Sequence, residues 1–213
     1  MVEANRFFSL YLRGSLSQLF ATPVFYESQC DSDLLHGEYE NYKFPVIFLS
    51  KDSEYIKNNK KTDFLNTGYG GLIYAVSEKV VDVLSSNNIT GWKTYPVEVY
   101  DRNENYIGGY YGFTITGRCL ALKPSLAEPY VKQYPGGPYN TYTGHPLNLD
   151  YWDGSDIFLL QGTTFQFVSK KVKNIIKINK LTNICFEDIA EFTEIMFKGK
   201  PYWELNSDIR IEE

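Results

Sequence analysis

Histidine and cysteine are scarce in this chain, with 2 His and 3 Cys among 213 residues. His36 and His145 stand in no recognisable metal or nucleophile motif, so imidazole catalysis is not expected from them. Cys30, Cys119 and Cys185 are odd in number and widely spaced, with no CxxC pair and no Cys/His cluster. That pattern indicates neither a disulfide framework nor a zinc site, and it fits thiols kept in a reducing compartment. Long apolar runs are missing too. The run Phe7-Phe8-Ser9-Leu10-Tyr11-Leu12 is stopped by Arg13 and preceded by Glu3, which is too short a core and the wrong leading charge for a signal segment. Nothing approaches the ~20 apolar residues that a membrane helix needs. The expectation is a soluble cytoplasmic protein with no membrane partner.

Local catalytic signatures are equally thin. No GxSxG elbow is present, and Gly68-Tyr69-Gly70-Gly71 lacks a following Gly-Lys-Ser/Thr. It also has Ile73 where a dinucleotide loop would place its third glycine, so a tight turn before a strand over 72–76 is the better reading. Asp150, Asp153 and Asp156 recur every third residue, without the ligand alternation of a calcium loop. Asp and Ser at this spacing cap turns. No catalytic residue, metal or cofactor is therefore assigned. Basic charge is also in deficit: 21 Lys and Arg face 26 Asp and Glu, for a net charge of −5 and a pI near 5.2. A nucleic-acid partner held by an overall basic field is not expected.

What is abundant is ring surface, with 14 Phe, 18 Tyr and 3 Trp. Hydrophobic residues at 43% and charged residues at 22% are the composition of a globular chain, not a disordered one. The chain also repeats itself. Val76-Ser77-Glu78-Lys79-Val80-Val81-Asp82-Val83-Leu84 returns without a gap as Val168-Ser169-Lys170-Lys171-Val172-Lys173-Asn174-Ile175-Ile176, position 168 lying 92 beyond position 76. The register continues through Ile89 and Leu181, Thr90 and Thr182, and Val97 and Ile189. Each copy places apolar residues at i, i+4, i+7 and i+8, one stripe of a helix. Ser77 or Ser169 stands at its N-cap. Asn87-Asn88 or Asn179 stands where a left-handed exit is wanted.

Strands are predicted over 44–49, 92–97 and 110–116, with a hairpin from 157–160 and 164–167 leading into the second helix. Residues 57–61 and 101–105 read as exposed or turn segments. Residues 124–154, rich in Pro, Gly, Tyr and Asn, read as a long loop, and such loops are usually functional. A last helix is expected over 184–197, before a polar tail. The fold class is α+β: mixed sheet segments with a few helices and two related strand-helix-turn-strand units. It is expected as a single unit over 1–213, with an N-terminal part over 1–66 and duplicated units over about 70–100 and 162–192.

The binding signal lies in the Tyr-rich loop. Tyr134, Tyr139, Tyr142, Tyr151 and Trp152, with Asp153 beside them, offer amphipathic rings of the kind enriched at protein interfaces and on sugar-stacking platforms. Two readings stand side by side: an exposed interface, or rings that pack the loop onto the body.

The unit at 76–97, Tyr151-Trp152-Asp153-Gly154-Ser155-Asp156-Ile157-Phe158, and the second Val168-Ser169-x-Lys171-Val172 unit together resemble a known family. They are similar to the bacterial immunity proteins of polymorphic toxin systems typified by a myxobacterial immunity domain, over residues 70 to 195. The resemblance implies direct binding and neutralisation of a cognate toxin, with the toxin protein as partner and no catalytic residues. The alternative is a carbohydrate-binding module using Tyr139, Tyr142 and Trp152, disfavoured by the lack of a signal segment.

Overall fold

The computed structural model describes residues 6–14, 18–25, 31–39, 42–50, 60–68, 72–121, 128–134, 137–143, 147–161, 163–189 and 193–195. In chain order the first elements are β1 (Phe7–Leu12), β2 (Thr22–Pro23), α1 (Asp31–His36), β3 (Val46–Leu49), β4 (Ala75–Ser77), α2 (Glu78–Ser86), β5 (Trp92–Tyr95) and β6 (Val97–Tyr100). Then come β7 (Tyr106–Ile107), β8 (Tyr110–Ile115), β9 (Gly117–Ala121), β10 (Glu128–Tyr134), β11 (Gly137–Thr143) and β12 (Leu147–Asn148). A 3-10 turn (Leu149–Tyr151) precedes β13 (Ile157–Leu160), β14 (Gln166–Ser169), α3 (Lys170–Ile178), β15 (Ile184–Asp188) and β16 (Thr193–Ile195). The fold is α+β.

The strands form a six-stranded sheet in the order β12-β9-β13-β14-β1-β15 and a four-stranded sheet β2-β3-β6-β7. Two three-stranded sheets, β4-β8-β5 and β10-β11-β16, complete the described strands. Both sheets of more than three strands are mixed: β9 runs parallel to β13, and β3 parallel to β6. β13 is buried along its whole length. That is why Ile157-Phe158-Leu159-Leu160 reads as a continuous apolar run: a strand covered on both faces has no solvent side to mark with polar residues. Ile157 and Leu159 face the main core with Phe8, Val168 and both repeat helices. Phe158 and Leu160 face a second, smaller core with Phe7, Cys119, Leu147, Phe167 and Ile189.

The repeat is present as matching structure. Helices α2 and α3 stand 92 residues apart and bury the same stripe positions, Val80 and Leu84 in one, Val172 and Ile176 in the other. The left-handed exit falls at Asn88 (φ 50°), within the expected Asn87-Asn88 pair, but in the second copy at Lys180 (φ 52°), one residue beyond the expected Asn179. The caps also divide. Ser169 accepts from the Val172 amide, whereas the Ser77 side chain makes no cap bond and donates instead to Asp63 at 2.9 Å.

The match extends past the repeated sequence. In the first unit β8 lies between β4 and β5; in the second, β1 lies between β14 and β15. Tyr110 opposes Ser77 as Phe7 opposes Ser169, and Ile115 opposes Trp92 as Leu12 opposes Ile184. The central strand of the second unit is therefore supplied from the N-terminal segment of the chain. Two carboxylates clasp the units reciprocally. Asp63 accepts from Ser77 of its own unit and from the Thr182 amide and hydroxyl of the other, each at 2.8–2.9 Å. Asp156 accepts from Ser169 of its own unit at 2.8 Å and from the Thr90 amide and hydroxyl at 3.3 and 3.4 Å.

Two expectations are overturned. The described part of 184–197 is strand rather than helix: Ile184–Asp188 is β15, paired with β1, and Thr193–Ile195 is β16. Residues 124–154 are not one structureless loop, because β10 and β11 form an antiparallel hairpin with Tyr134 opposite Gly137, and β12 pairs with β9. Cys30, Tyr69 to Gly71, residues 57–59, His145 and the tail from 196 lie outside the described residues.

Candidate partner-binding surface

The segment from β12 to β13 closes the second core, and its side chains divide between that task and solvent. Trp152 is half-buried, with its ring edge-on to Phe7 (centroids 5.0 Å, 78° between planes) and tilted against Phe158 at 5.9 Å. Its indole N–H donates to the Ser155 carbonyl at 3.1 Å. The Arg6 guanidinium lies over the same ring, 5.1 Å from its centroid, a cation–π contact that covers the outer face. Trp152 therefore belongs to the packing of the loop onto the body. Truncating it would open the second core and is expected to destabilise the fold.

Asp153 is a turn residue. Its carboxylate accepts from the Arg118 amide at 2.7 Å and the Ser155 amide at 2.9 Å, while its own amide donates to the Arg118 carbonyl at 3.1 Å. This bears out the reading of the Asp/Ser spacing as turn capping. The Arg118 guanidinium in turn donates to the carbonyls of Ile115, Gly117 and His36. Burial lowers its pKa, against the opposing charges of Asp153 and Glu38. Beginning of β9, end of α1 and the Asp153 turn are thus held as one unit.

Tyr151 is the ring left outside. It ends the 3-10 turn with 57% of its surface exposed, next to a tryptophan anchored on three sides. Tyr134, Tyr139 and Tyr142 have their backbone in the hairpin: Tyr134 opposes Gly137, Tyr139 opposes Lys132, and Tyr142 opposes Pro129. Positions 139 and 142 are three apart and so fall in opposite phases of the strand's period of two. The side chains of these three residues lie outside the described part. The structure places Tyr151, Trp152 and Asp153 in one turn and the other three on the hairpin.

The most exposed ring among the described residues was not singled out by sequence. Tyr106 is 62% exposed on β7, with Tyr100 edge-on at 5.8 Å. Leu49 opposes Tyr100, and Tyr100 opposes Tyr106, which makes a row across β3, β6 and β7. The signal lies in Val97-Glu98-Val99-Tyr100, where alternation sets Tyr100 in the phase opposite buried Val99.

His36 is engaged in structure, its Nε2 lying 3.1 Å from the Thr163 carbonyl. Among the described residues, no group of three or more His, Cys, Asp or Glu side chains could hold a metal ion. No helix among them is long and apolar enough to cross a membrane. No family model matches the chain, and no curated protein matches it.

Proposed function

We propose that this chain is an immunity-type binding protein that neutralises a cognate bacterial toxin by direct protein–protein contact, without chemistry of its own. The observation that carries the reading is Tyr151, a large exposed ring on a turn already rigid before any partner arrives. Trp152 anchors that turn in the second core, and the carboxylate of Asp153 fixes its backbone. A ring presented this way contributes contact area with little ordering cost on binding, which is how aromatic hot spots gain affinity. The resemblance of the repeat units to immunity proteins gives the partner its class.

The test is co-purification from the native host, with the bound protein identified, followed by titration of that protein against Tyr151→Ala. The expected result is a toxin-bearing partner whose affinity falls about tenfold or more, with the melting temperature unchanged. Binding of isolated glycans on an array, abolished by Tyr139→Ala or Tyr142→Ala, would instead establish the carbohydrate reading.

A further inference from the structure

The two repeat helices share a scaffold but not a surface. Over 78–88 the first carries Glu78, Lys79 and Asp82, for a net charge of −1. Over the equivalent 170–180 the second carries Lys170, Lys171, Lys173, Lys177 and Lys180 and no acid, for a net charge of +5. The buried stripe, Val80 and Leu84 in one copy and Val172 and Ile176 in the other, is kept, and apart from Lys173, which replaces the packed Val81 and lies on the Phe8 ring, these changes fall outside the positions that pack the helix. At the equivalent of Ser86 stands Ile178, 77% exposed. The scaffold does not require this surface, because α2 folds in the same way without it.

The lysines also work against their own helix. Lys170 and Lys171 occupy the first turn of α3, where the unpaired amides already leave partial positive charge, and that turn contains no acid. A cation at that end costs rather than contributes. Lys171 recovers part of this through Asp156 at 3.3 Å and the Asn88 carbonyl at 3.2 Å. The Lys173 ammonium sits 3.3 Å from the centroid of the Phe8 ring. Burial, then its neighbours Lys177 and Lys170, depress its pKa. The side chains of Lys170, Lys177 and Lys180 make no ion pair or hydrogen bond with the described residues. Local rules broken without a compensating gain in the fold point to a functional surface.

We propose that the exposed surface formed by Lys170, Lys177 and Ile178 of α3, with Lys180 in the turn that follows, docks an acidic protein surface. Charge complementarity selects this occupant. The residues outside 170–180 carry a net −10 against the total of −5, so the long-range field repels an extended polyanion such as duplex DNA or an anionic bilayer. A nine-residue helix spans only about 14 Å, enough for a compact group of carboxylates. Exposed Ile178 beside these lysines calls for an apolar spot on the partner, which a protein supplies and a phosphate backbone does not. This deepens the toxin-neutralising reading by assigning a charge to the partner's surface.

The assay uses the full chain and a fluorescein-labelled amphipathic peptide of glutamate and leucine, with duplex DNA and phosphatidylserine vesicles as parallel arms at one ionic strength. The variant is Lys170→Glu, Lys177→Ser and Ile178→Ser together, which installs the residues α2 already carries at the equivalent positions. Its melting temperature is expected to be unchanged or slightly raised. Expected is peptide binding that weakens with salt and falls about tenfold or more in the variant, with DNA and vesicles bound less tightly than the peptide. Absence of peptide binding, equal binding by the variant, or tighter lysine-dependent binding of DNA or vesicles overturns the proposal. The peptide reads the helix alone, so its failure leaves a toxin captured through Tyr151 standing, and failure to capture a toxin leaves the peptide result standing.

Discussion

Tyr110 and Tyr39 are phenols with similar burial costs and different partners. Burial pushes both up to about 12, and the charge of Asp63 adds to the effect at Tyr110. Tyr110 donates to the Thr62 carbonyl at 2.8 Å, whereas the Tyr39 hydroxyl is buried with no partner among the described residues. In the unfolded chain a tyrosine ionises near 10. Both groups therefore contribute stability in full below pH 10, and lose it as pH rises from about 10 through about 12, because the unfolded state releases its protons first. For Tyr110 the loss is on the order of 2 kcal/mol. At neutral pH, Tyr110→Phe is expected to destabilise by about 1 kcal/mol, since it leaves a buried carbonyl unpaired. Tyr39→Phe is expected to be neutral or slightly stabilising, since it removes a hydroxyl that has nothing to bond. Urea unfolding at pH 7 and pH 11 separates the cases: the wild type loses more between the two than Tyr110→Phe does. Equal losses for both single variants at pH 7 would mean that the two hydroxyls are equally partnered.

Among the elements, the equivalent turns after α2 and α3 solve one geometric problem in two ways. Gly91 (φ 88°) and Asn183 (φ 66°) occupy the same repeat position, both in the left-handed region. Asn183 uses its side chain there, accepting from the Gly14 amide at 3.1 Å and donating to the Phe64 carbonyl at 2.7 Å. At Gly91 there is no room for one, because a Cβ would stand 1.9 Å from the Ile157 carbonyl oxygen. Asn183→Gly is thus expected to cost about 1 to 2 kcal/mol in lost hydrogen bonds. Gly91→Asn should cost on the order of 3 kcal/mol or more through backbone displacement. Thermal melts of the two variants check the asymmetry, and comparable costs would refute it. The clasps give a companion test. Asp156→Ala leaves Ser169, Thr90 and Lys171 without their shared acceptor and is expected to destabilise by about 2 kcal/mol. Much of this scale was legible beforehand. The helices, their stripes and β13 follow from periodicity and from a gap-free repeat. The misread helix at 184–197 came from a short apolar run that fits either period, although the first copy, strand-like after Trp92, already held the answer. The hairpin at 128–143 was hidden because Pro, Gly and Asn dominate its composition while the strand pairing that makes it is non-local. At the candidate site, Asp153 as a turn residue was readable from spacing. The burial of Trp152 was not, because its cover, Arg6 and Phe7, comes from the far end of the chain.

That long reach governs the whole molecule. β1 is the central strand of the second unit, yet the entire first unit, α2 included, separates it in sequence from β14, α3 and β15. With β1 removed, β14 and β15 lose the strand that pairs with each of them. The main core loses Phe8, Leu10 and Leu12, and the second core loses Phe7. The first unit suffers differently: its own central strand β8 remains, but Asp63 loses a correctly placed Thr182. The two units therefore should not melt independently. A single cooperative transition is expected for the full chain, with near-coincident curves from tryptophan fluorescence, which reports Trp92 in the first unit, Trp152 packed on Phe7 of β1, and Trp203, and from far-ultraviolet circular dichroism. A fragment beginning at residue 15 retains every other element, yet it is expected to remain unfolded alone, because its larger sheet is split where β1 belongs and an unpaired interior gap exposes both backbone ladders and apolar faces. Adding a peptide of residues 6–14 in trans should restore strand and helix signal with a saturable dose response, since binding and folding then share one equilibrium. A fragment that folds cooperatively without that peptide would show that the second unit closes on itself, and that the exchange of β1 between the ends of the chain adds nothing to its stability.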